Sequence, residues 1–175
     1  TVRQVLQQQG IPARSLAGGQ LFDGPETRLL VALLELIDNG RLGPQLASVL
    51  LSPIGGFSVE EIAQIKADHP EAELADALQA YGESGSALGE KVKDFLDKLA
   101  DWRRVGQLGP SYLIRHLLRE LGPGAFVQYA PDIDLRLRKL RQVVQLAEEF
   151  EGTHLPVLSG FIRHLTRLRS EGGLE

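Results

Sequence analysis

Arg136, Arg138, Arg141, Arg163 and Arg167 are the residues of this sequence best suited to chemistry, and that chemistry is contact with anions. A guanidinium is planar, permanently charged and offers forked donors that match phosphate oxygens. Arg138 and Arg141 stand three apart, and Arg163 and Arg167 four apart, so on helices each pair shares one face. Glu148, Glu149 and Glu171 are near enough in sequence to hold the same arginines in exposed ion pairs. Phosphate contact and solvated surface are therefore both readings of this pattern.

Other reaction chemistry finds little support. The 175 residues include no cysteine, which excludes a disulfide scaffold, a zinc–thiolate site and a cysteine nucleophile. His69, His116, His154 and His164 lack the close spacing of metal ligands, and read as surface or partly packed histidines. Glu60 and Glu61, like Glu148 and Glu149, are adjacent; on a helix they point about 100° apart, which suits solvation better than shared acid–base work. There is no phosphate-binding glycine loop, and Gly18-Gly19 and Gly122-Pro123-Gly124 read as turns. No catalytic residue and no cofactor or metal is expected in this chain.

These residues must be positioned by helices. Composition is ordinary for a globular chain, at 43% hydrophobic and 24% charged residues. The net charge of −4 conceals an asymmetry. Residues 1–100 hold 8 Lys and Arg against 14 Asp and Glu; residues 101–175 hold 11 against 9, and 10 of those 11 are arginines. No apolar run reaches the roughly 18 residues of a membrane span, and no signal peptide is evident, so a cytoplasmic location is expected.

Helical periodicity dominates the pattern. Asp23, Pro25 and Glu26 read as the capped start of a helix with a broad apolar face, Leu29 to Ile37. Ser58 and Glu61 form a second capping-box signal. Val92, Phe95, Leu96, Leu99 and Trp102 follow one long amphipathic helix, and Leu113, Ile114, Leu117 and Leu118 another. A helix opened by Asp132 or Asp134 should bury Leu137, Leu140, Val143, Val144, Ala147 and Phe150, leaving Arg138 and Arg141 outward. A last helix from about Pro156 should bury Phe161, Ile162, Leu165 and Leu168, leaving Arg163 and Arg167 outward. Ile11–Leu16 is the one plausible strand, and 82–86 the most linker-like stretch. The expected fold is all-α, an irregular multi-helix bundle with one short N-terminal strand at most.

Several strings are more specific than their composition. Gly10-Ile11-Pro12, Gly18-Gly19, Phe22, Pro25-Glu26 and Leu33-Leu34-x-Leu36-Ile37-Asp38-Asn39 resemble superfamily 1 helicases of the UvrD/Rep kind, in the stretch that follows the fourth helicase motif. Ala47-x-Val49-Leu50-x-Ser52-Pro53-Ile54-x-Gly56-Phe57-Ser58 is similar to a signature of AddA-type (RexA- and RecB-like) helicase–nuclease subunits. Arg136-Leu137-x-Lys139-Leu140 and Ala147-Glu148-Glu149-Phe150-Glu151 agree with the same family. The departures are Leu51 where the family usually has arginine, Gly40 for a common proline, and Lys139 for asparagine.

The resemblance implies an accessory region like the 2B insertion, with residues 1–23 as a remnant of the motor domain and 24–175 as the helical domain. It implies contact with duplex DNA through the arginines, restraint of the motor, and a role in unwinding and double-strand break repair. ATP and magnesium would be bound by the parent protein. The implied partners are the rest of that parent chain and a second nuclease subunit. Gly18, Gly19, Phe22, Glu26, Ser52 and Pro53 match the family pattern but have a structural account as turns and caps. The reading from another class is a stand-alone helical protein–protein interaction module.

Overall fold

The computed structural model describes residues 21–127 and 132–172. Those residues form eight α-helices: α1 Pro25–Asp38, α2 Gly43–Leu50, α3 Val59–Asp68, α4 Leu74–Gly82, α5 Ala87–Gly106, α6 Pro110–Leu121, α7 Ile133–Thr153 and α8 Leu158–Gly172. A single 3-10 turn, Pro123–Ala125, follows α6, and the described residues contain no strand. The expected all-α bundle is what the described residues form. The Ile11–Leu16 strand and the Gly18-Gly19 turn lie outside the described residues.

Helix α1 is the hub, packing on α2, α5, α7 and α8. Its sequence requires this: Leu30, Leu33, Leu34, Leu36 and Ile37 spread over more than one stripe, and all are buried. Leu21 and Phe22 join the same core. On one side of the hub, α5 contributes Val92, Phe95, Leu99 and Trp102 at alternating three- and four-residue spacing. Trp102 is buried and its indole Nε1 donates to Glu120 of α6 at 3.0 Å, while His116 meets the same carboxylate at 2.9 Å. On the other side, α7 buries Leu140, Val143, Ala147 and Phe150, with Leu137 and Val144 half-buried. The 82–86 stretch is a turn joining α4 to α5, in which the Ser86 hydroxyl accepts from Gly89 N–H at 3.0 Å.

The capping box at Ser58 is present in full: Ser58 Oγ accepts from Glu61 N–H, and Glu61 Oε2 accepts from Ser58 N–H at 2.8 Å. The one expected at Asp23 is not. Gly24 is the N-cap of α1, no side chain caps it, and Glu26 is fully buried. The reason is electrostatic, since Glu26 is drawn into the bundle by two cations of α7. Gly24 makes room for it: a Cβ there would fall 1.9 Å from Glu26 Oε1.

Gly40 has a comparable role. Arg103 Nε donates to the Ile37 carbonyl at 3.1 Å, closing the C-terminus of α1. A Cβ at Gly40 would lie 2.1 Å from that guanidinium, which would have to swing aside to admit one.

Candidate nucleic-acid interface

The motif residues Ser52 and Pro53 sit in the loop between α2 and α3. Ser52 Oγ donates to the Val49 carbonyl at 2.7 Å and accepts from Ile54 N–H at 3.2 Å. Gly55 presses on the end of α2, where a Cβ would meet Leu50 backbone at 2.5 Å. Ser52 therefore builds a turn, and Leu51 beside it is half exposed. Phe22 is a core residue.

Glu26 and Arg136 come together although 110 residues separate them. Arg136 Nη1 donates to Glu26 Oε2 at 3.2 Å, and Lys139 Nζ lies 3.7 Å from Oε1. With Glu26 only 1% exposed, this is a buried ion cluster fastening α1 to the first two turns of α7. Among the described residues Glu26 Oε1 has no hydrogen-bond partner, so Lys139 acts on it through charge alone. Arg136, a candidate for DNA contact, is thus engaged inside the bundle.

The other four arginines do face outward. Among the described residues none of Arg138, Arg141, Arg163 and Arg167 is in an ion pair; Glu148, one of the carboxylates expected to hold them, pairs with Arg115 of α6. They do not form one patch. Arg141 lines a groove between α6 and α7 with Arg115, Arg119, Leu118 and Pro123. Arg163 and Arg167 line a second groove where α7 gives way to α8, with Phe150, His154, Leu155 and Val157.

The second groove contains groupings that the sequence pattern did not announce. The His154 ring stacks on Phe150, with centroids 4.6 Å apart and planes 3° apart. His164 approaches both, at 5.5 Å from Phe150 and 6.2 Å from His154. Arg167 donates to His164 Nδ1 at 3.0 Å, so the neutral ring carries its proton on Nε2. Burial, then Arg167 and His154, hold the His164 pKa below its ordinary value, against an upward pull from Glu171 and Glu149. The signal that could have found the stack is the four-residue step from Phe150 to His154, one helical turn.

Glu151 explains how the groove is supported. Its carboxylate accepts from Ser111 N–H at 2.8 Å and from Ser111 Oγ at 2.6 Å, capping α6 from 40 residues away. Gly109, with φ of 118°, lets the carboxylate approach, since a Cβ would stand 2.8 Å from Glu151 Oε1. Among the described residues no three His, Asp or Glu side chains are grouped to hold a metal ion, and no helix is long and apolar enough to cross a membrane.

What the fold offers is a helical scaffold with exposed guanidinium groups on α7 and α8. No family model matches the chain. Nearly all of it is similar to one segment of bacterial proteins described as a subunit of an ATP-dependent helicase/nuclease. It is 31% identical to that of Thermoanaerobacter pseudethanolicus, over 96% of this chain and 14% of the relative. Identity is 35% with that of Pelotomaculum thermopropionicum, over 94% and 13%, and 33% with that of Geobacillus thermodenitrificans, over 95% and 14%. The chain spans about one seventh of the length of the curated relatives it matches. The resemblance to AddA-type subunits carried by the sequence motifs is borne out by these relatives.

Proposed function

We propose that this chain is the accessory helical region of an ATP-dependent DNA helicase/nuclease, holding duplex DNA by its phosphates and restraining the motor. The observation that carries this reading is the set of outward arginines, Arg138, Arg141, Arg163 and Arg167, with no carboxylate paired to them among the described residues. Phosphate contacts position a duplex without reading its sequence, which is what a translocating machine needs. The name of the relatives supports a DNA-processing parent. In that parent, ATP and magnesium are bound by the rest of the chain, and a second nuclease subunit is a partner. The Glu26 cluster ties α1 to α7, so a shift of α1 is passed to the arginine-bearing helix.

A second reading, a module that docks another protein, draws on Leu155 and Val157, which are 79% and 53% exposed. Binding of the chain to two duplexes of unrelated sequence over a salt series separates the two. Equal affinity for both, falling steeply with salt, is the expected result. Affinity that ignores salt, or no affinity at all, contradicts duplex contact and favours the protein partner.

A further inference from the structure

The groove at the α7–α8 corner has features that the backbone of a duplex does not use. His154 is exposed, and Phe150 covers only one of its faces. Leu155 and Val157 stand beside it as an apolar rim. Arg163 and Arg167 line the other side, one turn apart and free of ion pairs among the described residues. Flat ring, apolar rim and guanidinium groups together match an unpaired nucleotide, whose base has an open face and whose phosphate is charged. In a duplex the base faces are stacked on one another, and only phosphates would meet this surface.

We propose that this corner binds an unpaired nucleotide, its base stacked on His154 against Leu155 and Val157 and its phosphate held by Arg163 and Arg167. The inference rests on the reading of this chain as a DNA-contacting region and deepens it by assigning different DNA to the two arginine pairs. Any base would serve, because every base offers a π face.

The test is fluorescence anisotropy on a blunt duplex and on the same duplex with a short thymidine tail, 5′ in one substrate and 3′ in another. The proteins are the whole chain, His154→Ala, His154→Phe and the double variant Arg138→Gln/Arg141→Gln. One tail should tighten binding by about tenfold, the effect of a single stacked base. His154→Ala should abolish that gain without changing blunt-duplex affinity, and His154→Phe, which keeps the stacking surface, should retain it. The double variant should weaken blunt and tailed substrates alike. Equal affinity of the unaltered chain for all three substrates, or a tail gain that survives His154→Ala, overturns the site and leaves the apolar rim to a protein partner. If the double variant leaves blunt binding unchanged while the tail gain persists, the duplex reading fails and the nucleotide site stands.

Discussion

The acidic part of this bundle and its arginine-rich part differ in where their ion pairs sit. In the acidic part, α1 to α5, the pairs lie at the surface: Glu61 meets Lys91 at 2.6 Å, Asp76 meets Arg41 at 3.1 Å, and Asp101 pairs with Arg104, while Lys66, Lys93 and Lys98 are in no ion pair among the described residues. On α7 and α8, five arginines, Arg138, Arg141, Arg163, Arg167 and Arg169, are in no ion pair among the described residues. The two parts meet in one buried cluster, where Glu26 of α1 takes Arg136 and Lys139 of α7. The lesson is that arginine count is a poor guide to an interface, because Arg136 and Arg138 are two residues apart and do different work.

The comparison can be broken hardest at Glu26. Glu26→Ala removes the buried carboxylate and leaves two cations facing its cavity, so it should cost about 3–5 kcal/mol in chemical denaturation. A loss no larger than that of an exposed pair, under about 1 kcal/mol, would show that the cluster does not fasten α1 to α7. Glu151→Ala comes next. It strips the N-terminus of α6 of a charged cap and should cost about 1–2 kcal/mol, with amide exchange rising first at Ser111. Ser58→Ala should cost about 1 kcal/mol by opening the capping box in the acidic part. Glu60, held below its ordinary pKa by its own backbone amide and then by the Ser58 hydroxyl, should move toward that pKa when titrated by NMR in this variant.

The smallest effect is one of pH. The His164 pKa is depressed in the fold, so on acidification the unfolded chain takes up the proton first. Its contribution to stability is therefore lost as pH falls below about 6.5 toward the folded pKa. His164→Gln should flatten that part of the pH–stability curve, and an unaltered curve would contradict the assignment.

Much of this architecture is legible in the sequence because it rests on local signals. The Ser58 capping box, the apolar stripe of α5 and the outward placement of Arg138 and Arg141 each follow from spacing within one helix. The failures are long-range. Asp23 and Glu26 carry the same three-residue step as Ser58 and Glu61, yet Glu26 turns inward because its partners lie 110 positions away. Glu151 caps a helix 40 residues before it, and His154 and His164 are brought together by the turn between α7 and α8. No local pattern encodes these, since each depends on where two helices pack.

The most direct measurement is duplex binding over a salt series by the unaltered chain and by the quadruple variant Arg138→Gln/Arg141→Gln/Arg163→Gln/Arg167→Gln. Because these side chains are exposed and in no ion pair among the described residues, the variant should keep its stability within about 0.5 kcal/mol, so any change reports on DNA binding. The account predicts weaker binding, uniform across sequences, with a slope of log K against log salt shallower by about one for each phosphate no longer neutralised. Unchanged affinity and slope in a folded variant would contradict it.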